Sequence, residues 1–233
     1  MADRDRHAGA VLALEGATGA GSDLCGPLVS ALGVSGAAVS TLGDPIGSET
    51  VCASDDRAAR LDEIQLDLGE GPCWEALTTR RPVLEPDVQG SDAATWPLAR
   101  HAMRETGLGA VFAFPLVVAG LRLGAVDLYS RTARDISDRE VADATALSRI
   151  VARQVLRRAL LAAEGPQEET GTWDGRYSRR EVHQATGMVV AQMGIRPADA
   201  LLVLRGHAFA TGRSLRDVAE DVVDRTLDFS PDR

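Results

Sequence analysis

Three cysteines are the first candidates for covalent chemistry in this chain: Cys25, Cys52 and Cys73. Thiol catalysis needs a low-pKa attacker and a resolving thiol close by. These three are widely spaced, their number is odd, and no CxxC pair occurs, so neither a disulfide framework nor a metal site is expected. They read as small buried hydrophobes of a reducing compartment. The chain also has no GxSxG, no P-loop and no HExxH. The phosphoacceptor pattern of a receiver domain is missing too. Asp127 lies in an apolar strand, where a buried carboxylate would need a partner; alternation along the strand favours the solvent face. No catalytic residue and no metal ligand set follow from these residues, and no cofactor is evident.

The charged residues point elsewhere. All 25 basic residues are arginine, and 34 carboxylates bring the net charge to −9, which argues against indiscriminate nucleic-acid binding. From Arg176 to Leu227 the balance reverses, with eight arginines against six carboxylates. A weakly positive segment is compatible with RNA but does not establish it.

That segment has legible helix punctuation. Ser178 and Glu181 have capping-box spacing. Val182, Ala185, Val189, Val190 and Met193 then fall on one helical face. Gly194 suits a C-cap, and Pro197 suits the first turn of a second helix. Its core face is expected to hold Ala200, Leu201, Leu204, Ala208 and Phe209, with Gly212 as the stop. Ser214 and Asp217 cap a third helix that buries Leu215, Val218, Ala219, Val222 and Val223.

These residues resemble the ANTAR domain, a three-helix RNA-binding module of bacterial antiterminators. The resemblance is carried by Gln184-Ala185-Thr186-Gly187-Met188-Val189, Ala200-Leu201 to Arg205, His207-Ala208-Phe209, and Gly212-Arg213-Ser214-Leu215-Arg216-Asp217-Val218-Ala219. It covers Arg176 to about Leu227. The family usually has lysine where this chain has Thr186, which removes one phosphate-seeking charge. The resemblance implies binding to nascent transcripts that form two adjacent short-loop hairpins, and therefore a homodimer. Readers of RNA loops place arginines on phosphates and polar groups on exposed bases. The expected RNA-binding residues are Gln184, Thr186, Gly187, Arg205, Arg213, Ser214 and Arg216.

Upstream, the pattern is mixed. Val11 to Leu32 has helical spacing. Strands are expected at Gly36–Leu42, Glu49–Ala53, Pro82–Glu85, Ala110–Val118 and Leu121–Tyr129, with Asp44-Pro45 in the first turn and Ala119-Gly120 in a tight hairpin. Pro115 would push its strand toward an edge or a bulge. Helices are expected at Asp55–Ile64, from Pro72, and at Trp96–Thr106. Leu68-Gly-Glu-Gly-Pro-Cys73, Pro82-Val83, Trp96-Pro97, Phe114-Pro115-Leu116 and Leu123-Gly124-Ala125-Val126-Asp127-Leu128-Tyr129 resemble a GAF domain. Such domains precede ANTAR domains in actinobacterial regulators. The resemblance covers about 9–163 and implies about six antiparallel strands with packed helices. Many relatives hold a small molecule on one sheet face; others are dimerisation scaffolds. Ligand pockets are mostly apolar, so the candidates are Cys73, Trp74, Trp96, Phe112 and Phe114, for an unknown small-molecule ligand or simply as core.

Ser137 and Glu140 form a second capping box, opening a connector helix over 137–163. It either pairs with its copy in a second subunit or packs on its own sheet. A polar, glycine-rich linker covers 164–175. The fold class is therefore α+β: a GAF-like antiparallel sheet with helices, a long connector helix, and a three-helix ANTAR-like module at 176–227. No apolar run reaches the length of a membrane span and the first residues lack a signal-peptide pattern, so a cytoplasmic protein is expected. Three other readings stay open. One is a thiol reductase akin to free-methionine sulfoxide reductases, whose cysteines cluster more closely. Another is a regulator that docks a protein. The third is a helix-turn-helix DNA binder, disfavoured by the small positive surplus.

Overall fold

The computed structural model describes residues 2–19, 21–43, 46–91, 94–164 and 179–230. The chain divides into two units, 1–178 and 179–233. The Asp44-Pro45 turn, the linker from 165 onward and the Ser178 capping box lie outside the described residues.

The first unit is built on five strands among the described residues: β1 (Gly36–Thr41), β2 (Glu49–Ala53), β3 (Val83–Glu85), β4 (Ala110–Val118) and β5 (Leu121–Ser130). All pair antiparallel in the order β2-β1-β5-β4-β3. Ala119 and Gly120 both adopt positive φ in the β4–β5 turn, the geometry of a tight two-residue hairpin. Pro115 sits in an inner strand rather than at an edge, and the β4–β5 register shifts just after it, between Leu116 and Val117, as a bulge would. Strand β3 pairs only with Val111 to Ala113, so Pro115 lies beyond its reach and withholds no bond from it.

Helices cover both sheet faces. On one side lie α1 (Ala2–Gly16), α2 (Cys25–Leu32) and α6 (Asp138–Glu164). They bury Leu14, Leu28, Leu147 and Val151 against Val39, Phe112, Phe114, Val126 and Leu128. On the other side, α3 (Asp56–Leu68) and α5 (Pro97–Glu105) pack on Ala38, Val111 and Tyr129. Helix α4 (Pro72–Thr79) packs Cys73 and Leu77 against Leu42, Leu66 and Ala125. Period-two alternation sends Phe112 and Phe114 to the first face and Val111 to the second.

The single helix expected over Val11–Leu32 is two helices. Gly16, Gly19 and Gly21 interrupt the run, and Asp23 accepts from the backbone N–H groups of Cys25 and Gly26, starting α2 afresh. The capping box at Ser137 forms in both directions: Ser137 N–H donates to Glu140, and Glu140 N–H donates to Ser137 Oγ. Helix α6 packs along its own sheet and onto α1, whose Leu14 carbonyl accepts from Gln154 Nε2. Past Arg158, Leu160 and Leu161 are exposed.

Two of the three cysteines are not the free buried thiols expected. Cys25 on α2 and Cys52 on β2 form a disulfide, with Cα atoms 6.3 Å apart. They lie 27 positions apart in the chain, and only the packing of α2 beside the sheet brings them together. Cys73 alone fits the expectation of a free, buried thiol.

The second unit consists of α7 (Arg180–Met193), α8 (Pro197–Thr211) and α9 (Leu215–Val223). Gly194 and Gly212 end the first two in left-handed conformation. Pro197 opens α8, and Ser214 caps α9 by accepting from Asp217 N–H. The core holds Val182, Ala185, Val189, Ala200, Leu204, Ala208, Leu215, Val218, Ala219 and Val222. Met193 and Phe209 do not join it: both are exposed. Met193 is the last residue of α7, beyond the packed turns. Phe209 follows Ala208 by one residue, which rotates it about 100° away from the contact face.

Candidate functional site

In the first unit, the expected pocket residues separate. Phe112 and Phe114 belong to the core under α2 and α6, so they cannot line a cavity with Cys73, which lies under α4 on the opposite sheet face. Trp74 and Trp96 stay on the side of Cys73. Trp74 Nε1–H donates to the Gln65 carbonyl at 2.8 Å, and Trp96 Nε1–H donates to Glu75 at 2.9 Å. The guanidinium of Arg100 lies 5.3 Å from the Trp96 ring and pairs with Glu85 at 2.6 Å, both largely buried.

The segment Leu68-Gly-Glu-Gly-Pro-Cys73 builds this corner. Glu70 accepts from the N–H groups of Leu98 and Ala99, capping α5 from 28 residues away. Gly71 has a φ of +134°, and a Cβ there would collide with the Gln65 side chain. That side chain in turn accepts from Cys73 N–H at 2.9 Å.

Behind these residues lies a buried polar cluster that the sequence did not announce. Asp127 is 1% exposed, not solvent-facing, and neither carboxylate oxygen meets a partner at full hydrogen-bond geometry, although the Gln65 side chain is close enough to lower its pKa a little. Ser40 Oγ and Gln65 Nε2 are likewise buried without such a partner. Thr50 Oγ1–H donates to Asp62, which is also fully buried. Strand register explains the gathering. Ser40 lies opposite Thr50 and Ala125, and Asp127 opposite Ala38 and Ala113, so only small residues surround the carboxylate on the sheet. Burial, and then the neighbouring Asp62 charge, push Asp127 well above the usual carboxylate range. Burial followed by the Asp127 and Asp62 charges pushes the Cys73 thiol up. A thiol so held is a poor nucleophile at neutral pH.

In the second unit, the expected RNA-binding residues fall at several places. Gln184 and Gly187 are exposed on α7, facing away from Val182, Ala185 and Val189. A Cβ at Gly187 would meet no neighbouring heavy atom within 4 Å. Thr186 is half-buried, and its hydroxyl donates to the Val182 carbonyl. Arg205 is half-buried on α8. Arg213, in the α8–α9 turn, pairs with Asp221 at 2.5 Å and donates to the Asp217 carbonyl. Ser214 Oγ is engaged as the α9 cap, and Arg216 is half-buried on the first turn of α9. His207 is half-buried and meets the Phe229 ring edge-on, centroids 5.3 Å apart. The sequence pattern missed one feature here: the exposed apolar pair Leu202 and Phe209 on α8. Apolar residues occur all round this helix, so periodicity did not separate its two faces.

Among the described residues, no group of three His, Cys, Asp or Glu side chains could hold a metal ion. No single described helix is long and apolar enough to cross a membrane.

Comparison with known proteins agrees with both halves of this architecture. The GAF domain family matches residues 12–154, and the ANTAR domain family matches residues 176–223. No curated protein matches the chain. Solved structures similar to it include the GAF domain of a phosphoenolpyruvate-protein phosphotransferase from Coxiella burnetii. That pair shares 15% identity over 69% of this chain and 96% of the other, with a TM-score of 0.54. The corresponding Acinetobacter domain is 10% identical over 70% and 96% of the two chains, TM-score 0.50. The chromophore-binding domain of a bacteriophytochrome from R. palustris is 14% identical over 70% and 62%, TM-score 0.50. At such identities the likeness concerns the fold alone. The family matches carry more: the chain belongs to the GAF-domain family and bears an ANTAR domain behind the GAF domain, which makes it a GAF-controlled regulator of the RNA-binding, antitermination class.

Proposed function

We propose that this protein acts as a dimer, each ANTAR module taking one of two adjacent hairpins in a nascent transcript and so keeping a terminator stem from forming. The GAF domain and connector occupy 9–163, a linker 164–175, and the RNA-binding module 176–227. The observation that carries the reading is the three-helix unit itself. It matches the ANTAR family over all three helices. It also presents Gln184 and Gly187 outward on α7 and Arg213 on the α8–α9 turn. Arg213 is only lightly committed, because an ion pair as exposed as Arg213–Asp221 is weakened by water and salt and a phosphate can compete for it. Dimerisation would use the end of α6, where Leu160 and Leu161 are exposed. The sensor would take a small molecule on the sheet face under α3 and α4, beside Cys73, Trp74 and Trp96.

The thiol-reductase alternative fits the structure poorly. Cys25 and Cys52 are joined to each other, and Cys73 is buried with a raised pKa.

The test is titration of the purified chain with a labelled two-hairpin leader RNA, beside a loop-mutated RNA and a matched DNA duplex. Selective binding to the intact RNA is expected, weakening steeply with salt. Replacing Arg213 and Arg216 by alanine should lower the affinity and flatten the salt dependence. Equal affinity for all three nucleic acids would refute the reading.

A further inference from the structure

The apolar pair on α8 has no role within its own unit. Leu202 is 67% exposed and Phe209 is 63% exposed. They sit seven residues apart, on the side of the helix turned away from the buried Ala200, Leu204 and Ala208. Between them lies Gly206, also exposed, where an added Cβ would meet no neighbouring heavy atom within 4 Å. A mid-helix glycine in open space weakens a helix that alanine would strengthen, so packing inside the unit does not explain it. What Gly206 provides is a flat stretch of backbone beside an aromatic ring. Arg205 stands one turn before Phe209, and Arg213 follows just past the helix end.

A ring, a flat approach and arginines four positions to either side of the ring in the chain suit an unpaired nucleotide. Loops expose bases that stack on aromatic side chains while their phosphates meet arginine. A protein partner fits this patch less well. Specific protein interfaces bury about 800 Å² per partner, whereas the apolar part here is two side chains and a glycine. We infer that Phe209 is a stacking platform for one unpaired loop base of the bound RNA, with Leu202 against the neighbouring nucleotide and Gly206 admitting the close approach. This rests on the RNA-binding reading above and adds to it a residue that reads a base rather than a phosphate.

The experiment uses the full chain and a two-hairpin RNA carrying 2-aminopurine at successive loop positions. Wild-type protein should quench one of these fluorophores on binding. Phe209→Ala should abolish the quench and weaken binding roughly ten- to a hundredfold. The slope of log affinity against log salt should not change, because no ionic contact is lost. Phe209→Trp and Phe209→Tyr should retain quench and affinity, while Phe209→Leu should remain as weak as alanine. Melting curves are expected to coincide for all four variants, since the side chain is exposed. Full binding by Phe209→Ala overturns the inference. So does full binding by Phe209→Leu, which would mark a merely apolar contact with the RNA in place of a stacked ring. If wild-type protein binds no hairpin RNA, the antitermination reading fails and the stacking role falls with it; normal wild-type binding with an inert Phe209 sinks the stacking role alone.

Discussion

Asp127 is the residue whose environment most constrains its chemistry. Its oxygens are buried without a partner at full hydrogen-bond geometry, and burial with the nearby Asp62 holds its pKa well above the ordinary value. A carboxylate with a raised folded-state pKa gives stability that is complete below its unfolded pKa and is lost as pH rises toward the folded one. The groups around it are Ser40 on β1, Thr50 on β2, Asp62 and Gln65 on α3 and Cys73 on α4, with no cation among them. Asp127→Asn removes the titration while keeping the shape. The variant should be more stable than wild type at pH 8, by at least about 1 kcal/mol. The gap should close toward pH 4 with a slope of at most about 1.4 kcal/mol per pH unit. Urea denaturation of both proteins across that range measures it. A constant difference at every pH would mean that Asp127 is charged in the folded state. The sequence located this residue but not its burial. Alternation along β5 favoured the solvent face for Asp127, because a strand pattern does not say that α3 and α4 would close over that face.

At the scale of elements, punctuation was legible and faces were less so. Ser137 with Glu140, Pro197, Gly194, Gly212 and Ser214 each act where their backbone chemistry requires, because caps are local. Faces depend on what packs above them. Phe112 and Phe114, candidates for a pocket with Cys73 or for plain core, are core, and they point to the other side of the sheet from Cys73. Phe209 was read as core because α8 is apolar all round. Gly187 lies between these cases: its position was legible in the sequence, and its open surroundings give it a testable meaning. In the middle of α7, Gly187→Ala should stabilise the folded protein by about 1 kcal/mol, since alanine is the better helix former and a Cβ has room. If RNA backbone approaches the helix there, the same methyl must weaken RNA binding. Thermal melting and RNA titration of this one variant should therefore move in opposite directions. A stabilised variant with undiminished affinity would remove Gly187 from the interface.

The whole molecule couples a sensor to an RNA reader, and two features of the first unit bear on how. One is the Cys25–Cys52 link, invisible to spacing because it joins a helix to a strand. Closing a loop of this length restricts the unfolded chain by about 3–4 kcal/mol in the loop-entropy account. Cys52→Ser should therefore lower the melting temperature in oxidising buffer, and the difference from wild type should vanish in dithiothreitol. Identical melting in both buffers would mean that the bond does not form in solution. The other feature is the end of α6. Up to Arg158 this helix is held by its own domain: Gln154 and Arg158 donate to carbonyls at the end of α1 and in the segment that follows it, and Val151 and Val155 are buried. Leu160 and Leu161 lie beyond those contacts and remain exposed on a helix rich in charge. A second copy of the chain covering this end would bury them and bring two RNA modules within reach of one transcript. Joining two binding events in this way raises affinity by about 10²–10⁴ without any new contact. The double variant Leu160→Glu, Leu161→Glu should sediment as a monomer and keep its melting temperature, because neither side chain packs within its own domain. It should bind a two-hairpin RNA no more tightly than a single hairpin, whereas wild type should prefer the pair strongly. A wild-type chain that sediments as a monomer at micromolar concentration, or that binds one hairpin as tightly as two, would remove the dimer from the mechanism and leave each module acting alone.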